Sequence, residues 1–482
     1  MRHVEPAVFK SYDIRGTCPD QLDEAFAYLL GRALAGCLPG EPVRSAVVGH
    51  DARLSSPSFY AALAAGLAQE GVEVSGLGLC ATELVYYAAG QEGGADLGVM
   101  VTASHNPPQY NGFKVVRAGG APVSGAEGLH AAREVMEALD VPASIPAFEP
   151  PPLPDALADY VASALELVGE PRAAGLRVAV DAGNGVAGLL WEPLGERLGL
   201  EPMGLNMEPN GRFPAHHPDP SRRENVEPLV REVLVRGADL GFCYDGDADR
   251  VVVVLADGHV VDGSEMTACI AERVLSRDPA TPFAVAQTTS RKALDHFRAR
   301  GVEPAMVPVG HAKIKRIMRA QPELVFCGED AGHYYYRDFY CCDSSLITTL
   351  HLLHLAGDGA LEGLVGGLPG PWHRPVREPA FRFTDQGLAR DVCRRVALSA
   401  LERHGDPLEI TCERGGRVLR DCGPDDVGQC EGVRADYEDW WFCVRPSGTE
   451  PLARLALEAR SEEMLAERTA ELSALFEGFA TV

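Results

Sequence analysis

Residues 101–114 read VTASHNPPQYNGFK, and the reading of that stretch decides the fold. An apolar run over residues 97–101 leads into it, and Pro107 with Pro108 bars it from continuing as a helix. It therefore reads as a loop at a strand end, carrying Ser104, His105 and Lys114 within one short segment. Taken alone, a serine beside a histidine is a turn former or a cap. The rest of the chain changes that reading.

Upstream, residues 45–49 are strand-like, 56–69 helical, 72–77 strand-like and 82–89 helical, before a third strand over 96–101. Strands alternating with helices of this length predict parallel βαβ units. The order returns downstream as strand 176–180, helix 186–198, a long polar connection over 210–225, helix 226–236 and strand 239–244. It returns again as strand 283–287, helix 290–300, strand 302–308, helix 311–319 and strand 324–327. In each round the loop after the third strand is the chemically loaded one: TASHNP at 102–107, DGDADR at 245–250 and GEDAGH at 328–333. Open α/β sheets bind ligands at the carboxyl ends of their strands, so these loops are expected to face one cleft.

A Pro-rich run over 141–154 reads as a linker, and a second break falls near 366–375. Beyond it the style changes: strands at 408–412, 440–444 and 452–458, a turn-rich acidic stretch, and a closing amphipathic helix at 461–476. This segment contributes the loop RPSGTEP at 445–451. The expected fold is α/β, with three successive mixed α/β domains of similar plan and a smaller C-terminal α+β domain around a central cleft. The expected boundaries are 1–150, 151–258, 259–370 and 371–482.

Bulk properties set limits on function. A chain of 482 residues exceeds what one core organises. Lys plus Arg number 44 against 69 Asp plus Glu, a formal charge of -25 that opposes nucleic acid and anionic membrane surfaces. An anionic substrate would have to be met by single Arg and Lys residues inside motifs. The N-terminus lacks the apolar core of a signal peptide and no apolar run is long enough to span a bilayer, so a cytoplasmic location is expected. Thirteen cysteines without a Cys-x-x-Cys pair argue against a disulfide framework and a zinc site.

DGDADR places Asp245, Asp247 and Asp249 at alternate positions, where an extended loop can turn all of them toward one hard cation. Carboxylates so close repel unless a cation compensates. The EF-hand is excluded, because its sixth and twelfth positions would be Arg250 and Ala256 instead of Gly and Glu. With few protein ligands and a phosphate nearby, Mg2+ is the expected ion. GEDAGH brings Glu329 and His333 to another strand end, while RPSGTEP pairs Arg445 with hydroxyls and backbone N–H groups around Gly448, a composition suited to phosphate. Gly183, Gly185 and Gly188 satisfy G-x-G-x-x-G, but the strand that should end in a ribose-binding acid closes at Leu205 and Asn206. Those glycines are expected to serve a tight strand-to-helix turn.

The set FKSYDIRG (9–16), VTASHNP, NGFK (111–114), DGDADR, GEDAGH and RPSGTEP resembles the alpha-D-phosphohexomutase family over nearly the whole chain, in the right order. YDIRG and the stretch HYYYRDFYCCDS (333–344) are most similar to bacterial members acting on mannose phosphates, followed by dual-specificity mannose and glucose members. The resemblance implies an isomerase interconverting hexose 6-phosphate and hexose 1-phosphate, mannose first, through a phosphoserine and a 1,6-bisphosphate that also serves as activator. It implies that Ser104 is the phosphoserine and holds Mg2+ with Asp245, Asp247 and Asp249. Arg15, His105 and Lys114 would surround the moving phosphoryl group, with Lys114 a candidate acid/base. Arg250, His311, Glu329 and His333 would meet the sugar, and Arg445, Ser447, Gly448 and Thr449 the phosphate that is not reacting. Expected partners are small-molecule sugar phosphates, with no nucleic acid, no membrane, and a monomer or dimer. One departure stands out: Ala331 occupies a position where the family usually has serine. Rival readings are a phosphoglucosamine mutase and a catalytically silent sugar-phosphate binder.

Overall fold

The computed structural model describes residues 4–276, 278–448 and 450–480, so Thr449 lies outside the described residues. The chain forms two compact units: residues 1–262, 272–274 and 331–365 make the first, and 263–271, 275–330 and 366–482 the second.

The first unit begins with β1 (Ile14–Thr17), α1 (Glu24–Cys37), β2 (Ser45–His50), α2 (Ser56–Gln69), β3 (Glu73–Leu79), α3 (Thr82–Gly90), β4 (Leu97–Val101), β5 (Tyr110–Arg117), β6 (Ala121–Pro122) and α4 (His130–Ala138). Its sheet runs β1-β5-β4-β2-β3, with β6 paired to β5. β2 lies parallel to β3 and β4, as the alternation of strands and helices predicts. The chain then reverses: β5 pairs antiparallel with β4, and β1 antiparallel with β5. The expectation of one continuous loop through Lys114 is thereby corrected. The loop ends after Gln109, NGFK is strand, and Lys114 sits opposite Met100.

Helix α1 starts because the Asp23 side chain accepts from Phe26 N, and its buried face of Phe26, Leu29, Leu30, Ala33 and Leu34 recurs at helical spacing. It packs on α2 with backbones nearly touching. A Cβ added at Gly31 would meet Leu63 O at 2.2 Å, and one at Gly66 would meet Tyr28 O at 2.1 Å.

Next come α5 (Ala156–Val168), β7 (Val178–Asp181), α6 (Ala187–Leu198), β8 (Met203–Leu205), α7 (Arg223–Arg236), β9 (Leu240–Tyr244), β10 (Val251–Leu255) and β11 (Val260–Val261), in a sheet ordered β11-β10-β9-β7-β8. β7 is parallel to β8 and β9, whereas β10 turns back antiparallel on β9. The DGDADR segment is therefore a hairpin connection on a second mixed sheet. Gly183 supplies a left-handed turn at φ +56°, and the other two G-x-G-x-x-G glycines serve close backbone approach. A Cβ at Gly185 would meet Gly246 O at 2.7 Å and one at Gly188 would meet Met207 O at 2.3 Å.

The second unit takes up α8 (Gly263–Leu275) for most of its length, then β12 (Ala284–Ala286), α9 (Arg291–Ala299), β13 (Ala305–Val307), α10 (His311–Ala320) and β14 (Phe326–Gly328). Here β12 pairs parallel with both β13 and β14, as expected for the third round.

The chain returns to the first unit with β15 (Tyr334–Tyr336), antiparallel to β16 (Cys342–Asp343), then α11 (Ser345–Gly357) and α12 (Leu361–Gly366). Helix α11 is buried almost all round, which its composition, SLITTLHLLHLAG, permits. Tyr244 Oη lies 2.7 Å from Thr349 Oγ1, and Ser345 Oγ donates to Ala248 O at 2.8 Å, tying α11 to the β9–β10 connection.

Glu83, at the start of α3, is fully buried and accepts from Leu346 N at the N-terminus of α11. Burial pushes its carboxyl up to about 8, against the lesser pull of Ser344 and the Leu346 amide. A folded-state value above the unfolded one means that the fold prefers the protonated form. Stability should therefore fall as pH rises from about 4.5 to about 8, by about 1.4 kcal/mol per pH unit from this group. Glu83→Gln keeps the shape and removes the proton. Its melting temperature, followed between pH 5 and 8, should decline less steeply than that of the native protein, and parallel curves would refute the assignment.

The second unit closes with β17 (Ala380–Arg382), α13 (Gln386–His404), β18 (Glu409–Arg414), β19 (Arg417–Leu419), α14 (Pro424–Val427), β20 (Gly432–Asp436), β21 (Trp440–Pro446), β22 (Leu452–Ala459) and α15 (Glu462–Ala480). The sheet is antiparallel throughout, ordered β17-β22-β21-β20-β18-β19, with α13 and α15 contributing to its core. This is the α+β segment anticipated from the sequence. Among the described residues, no helix is long and apolar enough to cross a membrane, and all thirteen cysteines are free.

Candidate functional site

In the first unit the β4–β5 connection and the β9–β10 connection meet. Ser104 is buried, with its backbone at φ +50°, a left-handed conformation that a residue with a Cβ rarely adopts. Its Oγ donates to Asp245 Oδ2 at 2.9 Å and lies 3.2 Å from His105 Nδ1. Asp245 Oδ1 in turn accepts from the backbone N–H groups of Asp249 and Arg250, which curls the loop and turns the carboxylates inward. Ala248, at φ +57°, completes that curl.

Asp245, Asp247 and Asp249 are each buried, with carboxylate oxygens within 4.8 Å of one another. Lys114 Nζ reaches across from β5 to Asp247 Oδ2 at 2.6 Å and Asp249 Oδ2 at 2.5 Å. Thr82 Oγ1, opening α3, also donates to Asp247 Oδ2, at 2.6 Å. Burial opposes charge on Lys114, but Asp247 and Asp249 outweigh it and hold the ammonium above its usual range. Burial likewise raises Asp247, and Lys114 reverses that and holds it below the usual carboxylate range. Asp245 goes the other way: burial, then Asp249 and Asp247, push it well up.

A hard divalent cation fits these residues. Asp247 Oδ1 and Asp249 Oδ1 are buried with no hydrogen-bond partner among the described residues, and one ammonium cannot balance three carboxylates. Such an ion would also draw Asp245 back into the ionised form.

Arg15, on β1, donates through Nε to Asp13 Oδ2 at 2.8 Å and through Nη1 to Asn106 Oδ1 at 2.6 Å, which places it beside the Ser104 loop. Burial, reinforced by Arg250 and Arg15, holds the His105 imidazole well below its ordinary value and therefore neutral. Arg250 Nε donates to His333 Nε2 at 2.8 Å, and His333 Nδ1 lies 2.8 Å from Asp343 Oδ2 and 3.7 Å from Asp249 Oδ1. The first unit thus collects Ser104, His105, Lys114, Arg15, the three aspartates, Arg250 and His333.

The second unit carries the remaining described candidates. Glu329, at the end of β14, accepts from Gly310 N at 3.1 Å, immediately before His311 opens α10. Arg445, on β21, faces Glu378 at 3.4 Å. Burial disfavours its charge, and Glu378 together with other acidic groups and Cys443 outweighs that, holding the guanidinium above its usual value. Ser447 N donates to Leu452 O at 2.7 Å.

Motif reading passed over Thr82, Asp343 and Asn106. Asn106 lay inside TASHNP and Asp343 inside the 333–344 stretch, so both could have been singled out, whereas Thr82 reaches the site only through tertiary folding.

Sequence profiles described as "Phosphoglucomutase/phosphomannomutase" match this chain in order: alpha/beta/alpha domain I over residues 6–138, domain II over 144–258, domain III over 262–365 and the C-terminal domain over 399–475. The chain belongs to this family. Among its relatives, phosphohexose mutases of Xanthomonas campestris pv. campestris (strain B100) are 34% identical over 98% of this chain and 99% of their own. The phosphomannomutase/phosphoglucomutase of Pseudomonas aeruginosa is 32% identical over 95% of this chain and 93% of its own. A crystal structure of a family protein from Burkholderia thailandensis covers 99% of this chain and 98% of its own at 30% identity, with a TM-score of 0.80. The chain is thus a phosphohexomutase, an isomerase, and it has the three α/β domains and C-terminal domain of that family.

Proposed function

We propose that this phosphohexomutase interconverts mannose 6-phosphate and mannose 1-phosphate in the cytoplasm, as a monomer or dimer, with phospho-Ser104 as the phosphoryl donor. The observation that carries the reading is the placement of Ser104 Oγ 2.9 Å from Asp245, at the edge of the buried aspartate triad. In the forward step the phosphoryl group leaves Ser104 Oγ for the free hydroxyl of a hexose monophosphate and gives a 1,6-bisphosphate. The hydroxyl proton leaves as the new P–O bond forms, and Ser104 Oγ takes one up. The bisphosphate reorients and returns its other phosphoryl group to Ser104.

Ser104, Asp245, Asp247 and Asp249 would hold Mg2+, which when bound supplies positive charge to the phosphoryl oxygens. Arg15 and Lys114 add cationic charge, and because Lys114 is held firmly protonated it serves as an acid and charge partner rather than a base. Neutral His105 packs against Ser104 Oγ, while Arg250, His311, Glu329 and His333 meet the sugar. Arg445, Ser447, Gly448 and Thr449 receive the phosphate at rest, and segments 1–150, 151–258, 259–370 and 371–482 act as the domains. A 1,6-bisphosphate primes the enzyme by phosphorylating Ser104. Glucose phosphates are the second reading, because Ala331 lacks the serine hydroxyl that usually meets the sugar.

The test is to assay mannose 1-phosphate and glucose 1-phosphate side by side, each with a trace of its 1,6-bisphosphate. Turnover of mannose 1-phosphate at the higher kcat/KM is expected, together with a one-phosphoryl mass increase that maps to Ser104. A preference for glucose 1-phosphate would transfer the assignment to the second reading, and no turnover of either sugar would sink both.

A further inference from the structure

Behind the Ser104 loop lies a cluster with no part in the chemistry described so far. Arg53, between β2 and α2, has no exposed surface. Its Nε donates to Asp51 Oδ2 at 3.0 Å. Its Nη1 donates to the carbonyls of Pro107 at 2.7 Å and Tyr110 at 2.9 Å, and its Nη2 to those of Ser104 and Asn106, both at 2.7 Å. Successive carbonyls of one loop thus converge on one guanidinium. Asp51, also fully buried, accepts from Arg53 N, Ser56 Oγ and Thr102 Oγ1, and Thr102 Oγ1 accepts from Ser104 N at 2.8 Å. Ser104 is therefore held at its carbonyl by Arg53 and at its amide through Thr102 and Asp51.

The far side of Arg53 is covered by the long polar connection after β8. The Phe213 ring centroid lies 5.2 Å from Arg53 Cζ. A Cβ at Gly211 would meet Ala52 O at 2.3 Å, Leu54 N at 2.6 Å and Arg53 Cα at 2.7 Å, so only glycine allows this approach. The left-handed backbone of Ser104 is strained and persists only where its surroundings overdetermine it.

We infer that Arg53, backed by Gly211 and Phe213, is the positioning residue that holds Ser104 in the left-handed conformation from which it transfers its phosphoryl group. None of the Arg53 hydrogen bonds goes to Ser104 Oγ. A lysine cannot replace it, because an ammonium has three donors and no planar fork, whereas these acceptors diverge in the directions of a guanidinium. The phosphoryl-transfer half of the inference rests on the proposed function above; the holding of the loop does not.

The experiment therefore reads both halves. Arg53→Lys, Arg53→Ala and Gly211→Ala are compared with the native protein by backbone hydrogen exchange of residues 103–110 and by kcat and KM for the preferred hexose 1-phosphate. In Arg53→Lys the loop should exchange at least about tenfold faster, with β17–β22 unchanged as an internal control. Its kcat should fall about 10- to 100-fold, with KM within about twofold, the mark of misplaced rather than missing chemistry. Methylguanidinium should restore part of the kcat of Arg53→Ala, which a general loss of stability would not allow. Gly211→Ala keeps the guanidinium but pushes on the Arg53 backbone, and should move both readouts the same way by less; it decides the matter if Arg53→Ala does not fold. Native exchange in the Arg53→Lys loop, an unchanged kcat, or an effect confined to KM overturns the inference. If the native protein shows no turnover, the proposed function fails, and the exchange measurement still decides whether Arg53 holds the loop.

Discussion

Ser104→Ala should lose mutase turnover by a factor on the order of a thousand or more, as removal of a covalent nucleophile does. The protein should remain folded. Ser104 is buried, yet its side chain contributes one hydrogen bond to Asp245 and a contact to His105, and losing a bond of that kind costs about 1 kcal/mol. An alanine tolerates φ +50° no worse than a serine does. The expected signature is a melting temperature within a few degrees of native, no phosphorylation by a hexose 1,6-bisphosphate, and no turnover. Full activity in this variant would end the phosphoserine mechanism, and a misfolded variant would show that the Asp245 contact matters more to the fold than one hydrogen bond should.

Lys114→Met should show the second large effect, on stability as well as on chemistry. Its ammonium neutralises Asp247 and Asp249 inside the protein, where all these groups are buried. Removing one partner of a buried ion pair leaves uncompensated charge at a cost of about 3–5 kcal/mol. In a chelator, the variant should therefore melt well below the native protein. Saturating Mg2+ should recover most of the loss, because a divalent cation replaces the missing charge among the same carboxylates. The difference between melting temperatures with and without Mg2+ should thus be larger in the variant than in the native protein. Equal melting temperatures in chelator would show that Lys114 is not what balances the triad.

Much of this was legible in the sequence wherever hydrophobic period and local punctuation agreed. Helix α2 was expected at 56–69 and spans Ser56–Gln69, between two strands that the sequence also marks. Strand β5 was missed because Pro107 and Pro108 mark a loop but do not show where the loop ends. Helix α13 was missed for another reason. Its core positions, Ala389, Val392, Cys393, Val396, Ala397 and Ala400, are small residues in a heavily charged run, so the apolar stripe is faint. Strand β20 hides in the same way, since Arg434 and Asp436 are buried there as a pair that looks like a surface turn in the sequence. At the site, the residues found beforehand were those concentrated in short motifs. Thr82 and Arg53 act from distant segments with no local signature, and only the folded chain brings them to the loops they serve, whereas Asp343 lay within the 333–344 stretch and was not singled out.

The division of the chain between its two units also bears on how the protein is born. The first unit is not contiguous: after residue 262 the polypeptide largely leaves it, and β15, β16 and α11 return only with residues 331–365. Ribosomes add about 5–20 residues per second, so those pieces emerge many seconds after the DGDADR loop has been made. Throughout that interval Glu83 lacks Leu346 and Arg250 lacks His333, while the sheet surface destined for α11 stands open. The nascent enzyme thus passes through a stage in which the pocket around its aspartate triad is half built, the period when a holding chaperone would have the most to bind.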